Sequence, residues 1–98
     1  MKFDVLPKRR PLAPGEHLRD ILEEHAVTQQ HFADALGITR RRLNEILNHR
    51  RGVTPDTALR LGRVLKTSPE LWLRLQNQVE LWDAVNGSSA KAIAKLKP

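Results

Sequence analysis

The sequence contains no cysteine. Disulfide scaffolds, thiolate zinc sites and cysteine nucleophiles are thereby excluded, and a small chain without disulfides suits a reducing compartment. No run of about 18 apolar residues occurs, the length that a membrane-spanning helix needs. The opening MKFDVLPKRRPLAPG lacks the apolar centre of a secretion signal. A soluble cytoplasmic protein without membrane contact is the expectation. No HExxH pattern or glycine-rich phosphate loop occurs, and no histidine or carboxylate cluster has metal-ligand spacing. Glu23 and Glu24 are adjacent and point to different sides of a helix, a poor arrangement for paired carboxylates. His17 and His25 read as surface or half-buried residues. No catalytic group, metal or cofactor is expected. Strand-like alternation of useful length and internal repeats are missing too.

What remains is 98 residues, enough for one domain with a modest core. The net charge of +6 favours polyanionic partners. It is unevenly spread. Residues 39–51 hold five arginines (40, 41, 42, 50 and 51) against one acid, Glu45. Residues 16–24 hold Glu16, Asp20, Glu23 and Glu24 against Arg19. One segment is basic and another acidic, which implies a polarised surface with two jobs.

Residues 1–13 are basic, carry Pro7 and Pro11, and are expected to be extended. Leu18, Ile21, Leu22 and His25 then fall at helical spacing, predicting a first helix near 15–25. Thr28 is a good N-cap for a second, whose apolar set is Phe32, Ala33, Ala35 and Leu36 and which Gly37 ends. The third spans 39–49, with Thr39 as cap and Leu43, Ile46 and Leu47 as its apolar side. Thr54, Pro55 and Asp56 start a fourth, packed through Ala58, Leu59, Leu61, Gly62 and Leu65. A longer fifth helix is predicted over 68–86, with Leu71, Trp72, Leu75, Val79 and Trp82 on one broad face. The basic tail 87–98 is read as a short helical turn or loose chain.

Helices two and three are short and separated by one glycine, the spacing of a helix-turn-helix, here about 28–48. Ala33 is small where the helices would approach, and Gly37 can take positive φ at the turn. The run TQQHFADALGITRRRLNEILN resembles the helix-turn-helix of the XRE (Cro and phage-repressor) family through Gln29, Ala33, Gly37, Ile38, Leu43 and Ile46. PLAPGEHLRDIL and RRGVTPDTALRLGRVLKTSPELWLRLQNQVELW extend the likeness to HigA-type antitoxins over about residues 11–83. The fold expected is an all-α, five-helix, repressor-like domain.

Arg40, Arg41 and Arg42 open the third helix, where its dipole disfavours cations by about 0.3–1 kcal/mol. A recognition helix enters the major groove with that end foremost, so phosphates and guanine edges would turn repulsion into attraction. Arg40 and Arg41 are therefore assigned to base edges, as guanidinium can bond guanine bidentately, and Asn44 to adenine. Gln29, Thr39 and Asn48 are assigned to phosphate. Arg42, nearer the flank, is assigned to DNA backbone contact or an intramolecular acid pair. Arg50 and Arg51 either grip phosphates or offset the dipole at the end of the third helix.

Trp72 and Trp82, with Leu75 and Val79, serve core packing, a dimer seam, or one on each face. A single helix-turn-helix reads few base pairs, so a homodimer on double-stranded operator DNA is expected. The resemblance implies a second partner, a small basic HigB-like toxin that cleaves mRNA. Glu16, Asp20, Glu23 and Glu24 match such a toxin in sign, or form a solvated face. The chain shows no long acidic arm, so it would bind the toxin as a folded body. The leading expectation is an antitoxin that represses its own operon. A stand-alone repressor without a toxin is the alternative, and a small nucleic-acid enzyme a more distant one.

Overall fold

A computed structural model describes residues 8–98. The expected extended character of residues 1–7 lies outside the described residues, while residues 8–13 are non-helical. Six helices follow, α1 (Pro14–Glu24), α2 (Gln29–Leu36), α3 (Arg40–Leu47), α4 (Pro55–Leu65), α5 (Pro69–Val85) and α6 (Ala90–Ala94). No strand occurs among the described residues. The all-α class and the five expected helices are present, and the tail adds a short sixth.

Hydroxyl caps set four of the helix starts. Thr28, Thr39, Thr54 and Ser68 each adopt extended backbone and accept from the N–H three residues on, in His31, Arg42, Thr57 and Leu71. Each such cap stabilises its helix by about 1 kcal/mol. α1 lacks a side-chain cap and begins instead on Pro14, whose missing N–H needs no partner there. Gly37 ends α2 with φ 70°, the left-handed turn that glycine adopts without strain.

The core gathers the inward side of each of the first five helices. Leu18, Leu43, Leu47 and Leu61 are almost fully buried, joined by Phe32, Leu36, Ile46, Val53 and Trp72. Each such leucine contributes about 1.5–3 kcal/mol through burial. Ala33 and Ala58 are fully buried within it. Gly15 makes a closer approach still. A Cβ there would collide with the Ile46 carbonyl oxygen, so α1 rests directly on the backbone of α3. α5 packs chiefly on α4. Trp72 is buried with its indole N–H donating to Thr67 Oγ1 at 2.8 Å.

Two expected packing residues lie elsewhere. Leu59 is 62% exposed, and Ala35 is exposed as well. Both sit on the outer flank of a broad apolar stripe, where helical spacing alone does not say which edge is covered. No helix among the described residues is long and apolar enough to cross a membrane.

Candidate nucleic-acid interface

Leu43, Ile46 and Leu47 bury one side of α3. Successive residues turn by about 100°, so Arg40, Arg41, Asn44 and Asn48 come out on the opposite side, and all four are exposed. No acid stands in the first turn of α3. The Thr39 hydroxyl accepts only the Arg42 N–H, at 3.0 Å. The N–H groups of Arg40 and Arg41 remain for an outside acceptor. Arg40 has no ion-pair partner among the described residues, and the Arg41 side chain is 91% exposed, 3.5 Å from Glu45. This tip combines helix dipole, free donors and guanidinium groups, the chemistry of an anion and base-edge site.

The remaining candidates divide by their neighbours. Gln29, the first residue of α2, meets Asn44, whose Nδ2 donates to Gln29 Oε1 at 3.4 Å. Asn48 Nδ2 donates to Asn44 Oδ1 at 3.0 Å. Asn48 Oδ1 in turn accepts from Arg19 of α1. Arg51 lies 3.7 Å from Glu45, so the one acid of α3 faces two of the arginines. Arg50 is exposed.

Arg42 follows the intramolecular alternative. Its Nη2 donates to Thr57 Oγ1 at 2.8 Å and to Asp56 Oδ2 at 3.1 Å. Asp56 also accepts from Arg60 Nε at 2.9 Å. Arg60, and after it Arg42, hold the Asp56 carboxyl below its ordinary range by hydrogen bonding to its charged form. Arg60 Nη1 reaches further, to the carbonyl oxygens of Leu36 at 3.0 Å and Gly37 at 3.2 Å. Arg60 thus clamps the turn between α2 and α3 from outside the motif. Sequence reasoning missed Arg60 and Arg19. For Arg60 a signal existed, since Asp56 and Arg60 are four apart on one helix, the spacing of an ion pair. For Arg19 none existed.

The acidic residues of α1 are not a uniform set. Asp20, Glu23 and Glu24 are exposed. Glu16 is already engaged, 3.2 Å from His49 Nε2 and 3.8 Å from Arg10. On α5, Trp72 and Val79 are core residues, whereas Leu75 and Trp82 are half-buried. Leu81, Ile93 and Leu96 stand exposed near this end of the chain, at 48%, 53% and 73%. Among the described residues, no histidine or carboxylate group is arranged to hold a metal.

The chain is similar to known proteins in sequence and in fold. A helix-turn-helix family model matches residues 18–72, which span α1 to the start of α5. Antitoxin HigA-1 of Vibrio cholerae is 38% identical over 81 residues, covering 81% of this chain and 75% of that protein. The Pseudomonas aeruginosa antitoxin HigA, solved with the higBA promoter, superposes with a TM-score of 0.83 at 36% identity, covering 91% of this chain and 98% of that one. An addiction module antidote protein of the HigA family from Coxiella burnetii gives a TM-score of 0.83 at 35% identity, covering 92% and 99%. With a family model matching residues 18–72 and these relatives matching most of the chain, the chain belongs to the XRE-type helix-turn-helix family, on its HigA antitoxin branch.

Proposed function

We propose that this protein is a DNA-binding antitoxin that represses its own toxin–antitoxin operon and neutralises a HigB-like mRNA-cleaving toxin. The observation that carries the DNA reading is the tip of α3, where Arg40 and Arg41 stand exposed on a helix end with free N–H groups. The relative solved with its promoter supports the same reading. Arg40, Arg41 and Asn44 read base edges in the major groove. Gln29, Thr39, Asn48, Arg50 and Arg51 hold phosphates and set the register. Arg42 leaves the phosphate set, because its guanidinium is spent on Asp56 and Thr57. Its role is to fix α3 against α4.

Two copies pair on half-sites about 34 Å apart. The half-buried Leu75 and Trp82, with exposed Leu81, supply the seam along α5. Asp20, Glu23 and Glu24 are the toxin-facing acids: among the described residues none of them has an ion-pair partner, whereas Glu16 meets His49 and Arg10.

The test is footprinting on the promoter upstream of this gene, together with co-expression of the neighbouring gene product. A protected palindromic site, and affinity that falls steeply with salt as counterions are released, is the expected result. Salt-insensitive binding would remove the basic footprint. Charge reversal at Asp20, Glu23 and Glu24 should abolish rescue from the toxin while leaving the footprint in place. Unchanged rescue would move the toxin site elsewhere.

A further inference from the structure

Asn44 is the one proposed base reader whose side chain offers both a donor and an acceptor. An amide reads adenine only when its N–H₂ and its oxygen face the correct atoms, and a flipped amide presents them in reverse. Something must therefore fix its orientation. In this structure a chain of side-chain hydrogen bonds does so. It runs from Arg19 Nη2 to Asn48 Oδ1, from Asn48 Nδ2 to Asn44 Oδ1, and from Asn44 Nδ2 to Gln29 Oε1.

The direction of this chain is set at its Arg19 end. A guanidinium has donors and no acceptor. Asn48 must turn its oxygen toward Arg19, which leaves its N–H₂ for Asn44. Asn44 must then turn its oxygen toward Asn48 and its N–H₂ toward Gln29. One N–H and one oxygen lone pair of Asn44 remain for a base. Without Arg19, Asn48 and Asn44 can flip together, because amides hydrogen-bond to each other in either sense.

We infer that Arg19, on α1 and outside the helix-turn-helix, is a positioning residue for sequence discrimination, acting through Asn48 to hold the Asn44 amide in one orientation. This rests on the reading of Asn44 as a base contact. It also gives Arg19 a purpose within an otherwise acidic stretch. Its half-buried side chain sits beside Leu22, Gln29 and Leu47, between the surface of α1 and the DNA-facing side of α3.

The test compares the unmodified protein with Arg19→Met, which keeps a long apolar stem, and with Asn48→Asp, whose carboxylate still accepts from Arg19 and has no N–H to give Asn44. Each is titrated with the footprinted promoter site and with every single base-pair substitution of it. The unmodified protein should discriminate about five-fold or more at the Asn44 position. Both variants should drop that preference to about two-fold or less, at the same position that Asn44→Ala flattens; Arg19→Met should do so with the salt slope unchanged, whereas Asn48→Asp, at a proposed phosphate contact, should also weaken binding on every sequence. For Arg19→Met, equal weakening on all sequences with a shallower salt slope would overturn the inference and make Arg19 a phosphate contact. Equal weakening by Arg19→Met with an unchanged slope would overturn it in favour of a purely structural role. A second readout needs no DNA. In the free protein, Arg19→Met should shift the side-chain amide NMR signals of both Asn48 and Asn44. If they stay in place, the inference fails even where DNA binding holds. If the unmodified protein binds no promoter DNA, the DNA reading fails, while these signals still decide whether Arg19 orients Asn44.

Discussion

The Arg42 guanidinium donates to the Thr57 hydroxyl at 2.8 Å, joining the last of an arginine triplet to a residue that is 1% exposed. A group that composition offers to DNA is thus turned inward. Arg42→Ala should destabilise the fold by about 1–2 kcal/mol, since it removes a charge-assisted bond to a buried hydroxyl and a partly screened ion pair. Denaturant unfolding measures this. The salt slope of DNA binding should stay unchanged, and a shallower slope would return Arg42 to the phosphate contacts.

Arg41 is the converse case. Its side chain is 91% exposed, so Arg41→Ala should leave folding stability within about 0.5 kcal/mol. Operator binding should weaken, and discrimination at one base pair should fall by about 1–3 kcal/mol. Competition titration against single-substitution operators separates this from a uniform loss, which would reassign Arg41 to phosphate.

Gly15→Ala should be among the most damaging small substitutions. The new methyl would strike the backbone of Ile46 and Leu47, which cannot rotate away as a side chain can. A loss of about 1–3 kcal/mol is expected from such overpacking. The same change at Gly52, where the neighbour is the end of the Gln76 side chain, should cost clearly less. Thermal melting of the two variants side by side checks the order.

Acid should loosen two ties. Arg60 and Arg42 hold the Asp56 carboxyl below its ordinary range, and Arg10 does the same for Asp83 through bonds of 2.8 and 3.1 Å. A carboxyl whose folded value is depressed stabilises the fold fully above its unfolded value, about pH 4. That contribution is lost as the pH falls through the lower folded value. The melting temperature should therefore decline below about pH 4, and Asp56→Asn with Asp83→Asn should make the decline shallower. An unchanged acid profile in the double variant would show that neither tie contributes.

Much of the scaffold was legible because its signals are local. A hydroxyl before each of Gln29, Arg40, Pro55 and Pro69 marks a helix start within a few residues, and each does cap. The inward face of α3 follows from spacing alone, as Leu43, Ile46 and Leu47 demonstrate. Leu59 and Ala35 went astray because one helix does not know where its neighbour ends. Arg19 to Asn48 and Arg60 to Gly37 were out of reach for another reason. Their partners lie 29 and 23 residues away, and such pairs depend on how helices cross, not on any pattern along the chain. The left-handed Lys66, at φ 58°, carries no residue preference that would announce it.

The two carbonyls that Arg60 holds, those of Leu36 and Gly37, sit at the corner between α2 and α3. The corner from which α3, the proposed reading helix, sets out is consequently braced by a strut from α4. Residues 28–48 are then no portable cassette: spliced into a foreign scaffold, they would keep their letters and lose their aim. What can be exchanged between such proteins is the solvent-facing lettering of α3, with the strut left standing.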